Sequence, residues 1–200
     1  MRVGWLKAAL GAVLAIASGC TLFSPAQPEI RKQVLSEMPL ELPVERTRAA
    51  SLLVSVPQAQ PIYDTTQMVY SIRPYEIGYF SQTEWAEKPS RMIQGLLVQT
   101  LRNTRYFSAV LTPPHSGRYT HVLRSEILEL RQDFTSQPPM LQLAMRFQLS
   151  GATGQVIASK EITVREPMRE KTASAGVVAA NDATAKLLRE LARFVLEKSG

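Results

Sequence analysis

The chain has 200 residues, of which 45% are hydrophobic and 20% charged, a balance that fits one globular domain with appendages rather than a disordered or multi-span protein. A single cysteine excludes an intramolecular disulfide framework and a multi-cysteine zinc site, and two histidines argue against a histidine-rich metal centre. The formal charge of +6 is spread along the chain without a basic stripe rich in aromatic residues, so we expect no nucleic acid partner.

The first nineteen residues resemble a secretory signal peptide. Arg2 and Lys7 precede an apolar run of about ten residues, which is too short to span a bilayer and suits a signal sequence. The run ends in Ala-Ser-Gly-Cys at 17–20, which resembles a bacterial lipobox, with Ala17 where Leu is most common. An ordinary signal peptide with an incidental cysteine is the alternative. We predict cleavage between Gly19 and Cys20, and a covalent diacylglycerol and N-acyl lipid (palmitate) on Cys20.

The residues after the lipobox predict where the protein is held. Thr21 stands where an Asp would retain a lipoprotein in the inner membrane, so we expect an anchor in the outer membrane, on its periplasmic face. Two or three acyl chains hold a protein on a membrane stably. Residues 20–48 contain four prolines among mixed charges, which is typical of a tether, and one edge strand is expected near Leu40–Val44. The predicted organisation is therefore a signal peptide at 1–19, a lipidated tether at 20–48 and a periplasmic domain at 49–200.

The periodicity of the remaining residues predicts an α+β domain. Alternating apolar and polar residues, or β-branched and aromatic content, predict strands at 52–56, 67–72, 76–81, 107–110, 121–133, 141–149 and 156–165. Pro89 suits the first position of a helix, which should end near 103–104, and an apolar stripe predicts a second helix over 172–198. The simplest arrangement is a mostly antiparallel sheet with the two long helices packed on one face.

Motifs of catalysis and of metal or phosphate binding are missing from the sequence. It contains no GxGxxG, GxxxxGK[ST] or HExxH pattern. His115 and His121 lie across a Pro/Gly loop and a strand start, and we interpret them as solvated or capped histidines. Ser116 lacks the GxSxG context of a nucleophile. We predict that the protein is not an enzyme, with no catalytic residue, no metal and no cofactor besides the lipid on Cys20.

Aromatic residues are concentrated between Ile62 and Trp85, together with an arginine. Aromatic side chains with a polar tip, next to arginine, are typical of partner-binding surfaces, although they also fill cores beneath a hairpin. We expect a division, with one strand face inward and one outward. The candidate partner-binding residues are Tyr70, Arg73, Tyr79, Phe80 and Trp85.

The run from Tyr63 to Ile93 resembles the ABC-type transport auxiliary lipoproteins, in which a lipobox precedes a periplasmic α/β domain. The matching positions of its Y-x6-Y hairpin and W-A-x-x-P step are Tyr63, Tyr70, Tyr79, Trp85, Ala86 and Pro89. The resemblance implies an accessory component that works with an MCE-domain protein and ABC transporter subunits in lipid transport across the envelope. Only Cys20 carries over, as the acylated residue.

Two other function classes remain open at the level of sequence. The domain could belong to another outer-membrane assembly or secretion complex, since such lipoproteins also place an α/β domain on a lipid tether. It could also carry lipid directly, which requires an apolar cavity of roughly 300–1,000 Å³. The sequence also leaves a homo-oligomer open.

Overall fold

The structure, a computed structural model, describes residues 29–200, so the predicted signal peptide, Gly19 and Cys20 lie outside the described residues. In this part of the chain, two long helices pack on one face of a mixed sheet, which confirms the predicted α+β class. The strands are β1 (Arg31–Gln33), β2 (Arg48–Val54), β3 (Gln58–Ala59), β4 (Gln67–Ser71), β5 (Gly78–Trp85), β6 (Phe107–Leu111), β7 (His121–Asp133), β8 (Met140–Gly151) and β9 (Val156–Pro167). The helices are α1 (Pro89–Asn103) and α2 (Ala173–Lys198), and a 3-10 helix spans Pro61–Tyr63.

Strand β7 organises the sheet because it pairs along both of its edges. One edge pairs antiparallel with β8, which in turn pairs antiparallel with β9. The other edge pairs in parallel with β2, β3 and β4 in succession. Beyond these, β6 joins β2 in parallel, β5 joins β4 antiparallel and β1 joins β5 in parallel. Most paired residues are therefore antiparallel, as predicted, while most of the short ladders are parallel.

The helix-covered face of β8 forms the centre of the core. Its alternation places Leu141, Leu143, Met145, Phe147 and Leu149 on this face, all at most 1% exposed. The polar residues between them lie on the opposite face, which the helices leave uncovered. This period-two pattern is what the sequence predicted, and it fixes the register of β8 because a shift by one residue would bury the polar set.

Both helices begin and end close to the predicted residues. Helix α1 begins at Pro89, where the missing N–H has no helical partner in any case. Helix α2 is capped by Thr172, whose side chain accepts a hydrogen bond from the Ala175 N–H at 3.2 Å. Near its start the end of the Gln132 side chain occupies the position that a Cβ atom at Gly176 would take, so a larger residue there would displace this side chain.

The segment predicted as a tether packs on the domain for much of its length. We call residues 29–47 the N-terminal arm. Its strand β1 pairs with β5, and Leu35, only 5% exposed, belongs to the hydrophobic core. The Asn181 side chain of α2 accepts from the Ser36 and Glu37 N–H groups at 2.8 and 3.1 Å and donates to the Val34 carbonyl at 3.1 Å.

The predicted boundary between tether and domain at residue 48 is therefore wrong, because β1 and Leu35 already pack on the domain. The strand expected near Leu40–Val44 is also wrong, because Leu40 is fully exposed and this stretch has no ladder partner. The physical reason is that a three-residue strand, one buried leucine and the Asn181 side chain of α2 hold the arm, and none of these produces a periodic pattern in the sequence.

Replacing Leu35 by alanine tests whether the arm belongs to the folded domain. We expect Leu35→Ala to lower the free energy of unfolding by about 2–5 kcal/mol, as for other buried leucines. Leu40→Ala is the matched control in the same arm and should change it by less than about 0.5 kcal/mol, because Leu40 is exposed. Urea denaturation followed by circular dichroism measures both. Equal effects of the two substitutions would show that the arm is not part of the fold.

Candidate functional site: the aromatic hairpin

Strands β4 and β5 form the hairpin that carries most of the predicted partner-binding residues. Val69 lies across from Tyr79 and Tyr70 across from Gly78, and the strands are joined by residues 72–77, which we call the hairpin tip. Because β4 runs parallel to β7 and Ser71 pairs with Asp133, the tip lies beyond the carboxyl end of β7. The hairpin therefore projects from one end of the sheet.

One face of the hairpin contributes to packing at this end of the sheet. The ring centroids of Tyr70 and Phe80 lie 4.7 Å apart, and Phe134 lies 6.0 and 6.3 Å from them. Gly78 makes room for this cluster, since a Cβ atom there would lie 2.7 Å from the Tyr70 ring. Such aromatic pairs contribute about 0.5–1.5 kcal/mol beyond their area burial. Tyr70 and Phe80, both half-buried, therefore serve mainly in packing.

Trp85 lies in the core and does not form a surface. It is 3% exposed, and its backbone N–H donates to the Thr66 carbonyl at 2.8 Å. The other edge of β5 is covered at this point by the N-terminal arm, where Gln33 lies across from Trp85. The prediction of Trp85 as a partner-binding residue is thus wrong, because its side chain belongs to the hydrophobic core, which is built by elements distant in the chain.

The hairpin tip presents apolar side chains to solvent. Ile72, Tyr75 and Ile77 are 55, 107 and 47% exposed. Tyr75 has a φ of 64°, in the left-handed region that non-glycine residues seldom adopt. Arg73 is exposed and pairs with Glu76 at 3.3 Å. Of the five predicted partner-binding residues, only Arg73 and Tyr79 are therefore exposed.

A hydrogen-bond network fixes the base of the hairpin. The Asp133 carboxylate accepts from the Thr135 N–H and hydroxyl at 2.9 and 2.6 Å, and from the Gln142 amide at 2.9 Å. It also accepts from the Ser71 hydroxyl at 3.4 Å, and that hydroxyl accepts from Arg131 at 3.0 Å. Burial opposes the charge, but the hydrogen bonds from Thr135 and the nearby Arg131 lower the pKa of Asp133 below its ordinary value. The carboxylate thus joins the ends of β4, β7 and β8.

The uncovered face of the sheet is polar. Arg146 lies between Glu126 and Glu161, at 3.1 and 3.6 Å. Beside it a cleft of about 370 Å³ is lined by Ser55, Val56, Gln58, Arg124, Ser125, Glu126, Arg146 and Gln148. Charged and amide side chains surround this space, so it suits a polar contact better than an acyl chain.

The two histidines lie apart from this cleft. The His121 ring lies 2.9 Å from the Thr120 hydroxyl, and burial lowers the pKa of His121. Among residues 29–200 no three His, Cys, Asp or Glu side chains come together as a metal site. No helix in this same range is long and apolar enough to cross a membrane.

Comparison with known protein families gives a match over most of the described chain. Residues 34–192 match the family described as ABC-type transport auxiliary lipoprotein component. The chain belongs to this family. The description of this family is that of a transport component and not of an enzyme class. The match begins inside the N-terminal arm, where Leu35 enters the core.

The relatives extend the likeness in sequence and in fold. An uncharacterized protein of Bradyrhizobium diazoefficiens is 24% identical over 149 residues, which cover 74% of this chain and only 40% of that relative. A crystal structure of a Xanthomonas campestris protein has a TM-score of 0.75 at 21% identity and covers 85% of this chain and 95% of its own. A hypothetical protein of Chlamydia trachomatis has a TM-score of 0.51 at 9% identity, covering 76% and 98%. At these identities the two structures show a shared fold alone.

Replacing Trp85 by alanine tests its place in the core. We expect Trp85→Ala to lower the free energy of unfolding by about 3–5 kcal/mol, because the indole is almost fully buried. Tyr75→Ala, in the same hairpin, should change it by less than about 0.5 kcal/mol. Thermal unfolding of the two variants gives the comparison. A Trp85→Ala variant as stable as Tyr75→Ala would contradict this packing.

The lowered pKa of Asp133 predicts an acid-sensitive hairpin base. Since the folded protein favours the carboxylate, its contribution to stability is present above the ordinary aspartate pKa of 3.8 and is lost as pH falls through the lower folded value. We expect Asp133→Asn to cost about 1–3 kcal/mol at neutral pH and to reduce the loss of stability in that acidic window. Asp64→Asn, which removes an exposed ion pair with Lys88, is the control. Parallel pH profiles for Asp133→Asn and wild type would refute the assignment.

Proposed function

We propose that this chain is the lipid-anchored periplasmic accessory component of an MCE-type ABC transporter, which moves phospholipid or another apolar molecule across the cell envelope. The family match over residues 34–192 carries the proposal, because its members are auxiliary lipoproteins of ABC-type transport. The resemblance of residues 63–93 to the hairpin of lipoproteins that accompany MCE proteins supports the finer assignment to lipid transport.

The anchor in this proposal is Cys20. It is the only cysteine of the chain and follows a short apolar segment and three small residues, the arrangement a lipoprotein signal requires. Diacylglycerol and N-acyl chains on Cys20 would hold the protein without a membrane-spanning helix. Thr21, in place of Asp, supports the periplasmic face of the outer membrane over the inner membrane.

Packing in the domain supports a docking role over carriage of lipid. Phe147, Met145 and Leu143 fill the space between sheet and helices with no exposed area, so the core is occupied by side chains. The cleft on the uncovered face has a polar lining. A domain of this kind would contribute to transport by contacting the MCE-domain protein and the ABC subunits. Tyr79, 38% exposed, is the aromatic residue proposed for that contact.

Affinity capture of the lipidated chain from membranes tests the proposal. We expect mass spectrometry to identify an MCE-domain protein with its ABC subunits, and the acyl chains on Cys20. Cys20→Ser should release the protein from the membrane fraction, because the anchor is lost. Tyr79→Ala should reduce recovery of the partner by about tenfold, as for an aromatic anchor residue. Val156→Ala, a truncation to alanine at an exposed residue of β9, should leave recovery unchanged.

The outcomes separate the parts of the proposal. Recovery of a different outer-membrane assembly or secretion complex, with none of the transporter subunits, would reject the transport function and leave the anchor intact. An unmodified Cys20 would reject the anchor.

A further inference from the structure

The hairpin tip and the start of the described chain lie at the same end of the sheet. Strand β1 runs parallel to β5, with Arg31 across from Thr83 and Gln33 across from Trp85. A parallel strand enters from the side on which its neighbour begins, so the chain before Arg31 comes from the side of Gly78 and the tip. Ile30, just before the strand, is 46% exposed.

The distance from this end to the proposed anchor is short. Glu84 lies across from Gln67 and Gly78 across from Tyr70, so the ladder advances by only three residues of β4 between them, and the tip begins about 10 Å beyond the level of Arg31. Cys20 precedes Arg31 by eleven residues, which span at most about 40 Å when fully extended. An acyl chain on Cys20 would therefore keep the membrane within about 40 Å of Arg31, and the tip extends over about a quarter of that distance toward the side from which the chain arrives.

The exposed side chains of the tip match the chemistry of a bilayer interface. Tyrosine rings prefer the headgroup level, where one end of the ring is apolar and the other is hydrated. Ile72 and Ile77 flank Tyr75 and supply aliphatic surface. Arg73 can reach lipid phosphates but is already paired with Glu76. Apolar contact should therefore dominate over attraction to anionic lipid.

We propose that the hairpin tip is a membrane-contact element, in which Ile72, Tyr75 and Ile77 enter the interface of the leaflet that holds the lipid anchor. The contact orients the domain, because the tip lies at the carboxyl end of β7 and the β8–β9 turn at its amino end. The end of the domain that carries the β8–β9 turn then points away from the leaflet. This inference rests on the lipid anchor at Cys20 in the proposed function.

Site-specific labelling of the lipidated full-length protein in vesicles tests the contact. Because acylation occupies Cys20, the only native cysteine, the thiol introduced by Tyr75→Cys would be the only one available to an environment-sensitive fluorophore. The control is Val156→Cys, since Val156 is 58% exposed, comparable to Ile72. Val156 pairs with Ser150 and Ser150 with Val122, so it lies eleven residues of β7, or about 36 Å, from the level of Asp133.

We expect the label at position 75 to shift to shorter wavelength and to be quenched by lipids spin-labelled near the headgroup, at least twofold more than the label at position 156. The effect should be similar in phosphatidylcholine vesicles and in vesicles that also contain phosphatidylglycerol. Ile77→Cys should repeat the result from a second position in the tip.

Three results would overturn the inference. Equal quenching at positions 75 and 156 would show that the domain has no fixed orientation, and no quenching at either would show that the tip stays in water. Protection of position 75 only after the MCE-domain protein is added would assign the tip to a protein partner. A second label on position 20 would instead reveal an unacylated cysteine, so that failure of the anchor is distinguished from failure of the contact.

Discussion

The pairing of one long strand determines the shape of this protein. β7 presents thirteen residues, and its backbone groups are paired on one side with a continuous antiparallel partner and on the other with three short parallel strands. Buried backbone groups need partners, so the chain between β2 and β4 must stay beside β7 through two interruptions. The Gln60 N–H to Ile127 carbonyl bond at 3.1 Å keeps it there at the 3-10 helix. The hairpin is thereby carried to the far end of β7.

This placement divides the aromatic residues of the hairpin by function. Those that face the sheet end pack with Phe134, and Trp85 lies beneath the arm, so their aromatic character serves stability. The residues of the tip have no such partners and remain exposed. The aromatic residues of this one hairpin therefore differ in their surroundings: some stabilise the fold by packing, and Tyr75 of the tip is exposed. The Asp133 network separates the two regions by joining three strand ends at the hairpin base.

The N-terminal arm shortens the link between the domain and the proposed anchor. With residues from Arg31 onward held by β5, Leu35 and Asn181, ten residues lie between Cys20 and the folded part. With a lipid on Cys20, as proposed, so short a connection would keep the domain close to the membrane surface. Such a connection would not by itself orient the domain. Its orientation would depend on contacts between the domain surface and the membrane, such as the contact proposed for the hairpin tip.

The sequence by itself determined the elements whose pattern is local. The alternation of β8, the apolar stripes of α1 and α2 and the proline at 89 each produce a signal within a few residues, and the structure confirms them. The lone Cys20 and the run from Tyr63 to Ile93 pointed to the family in the same way. Only the tertiary structure decided which aromatic residues are covered, because Trp85 is buried in a core to which elements distant in the chain contribute. The arm gave no periodic signal, since a three-residue strand, one leucine and one asparagine hold it through contacts with distant elements.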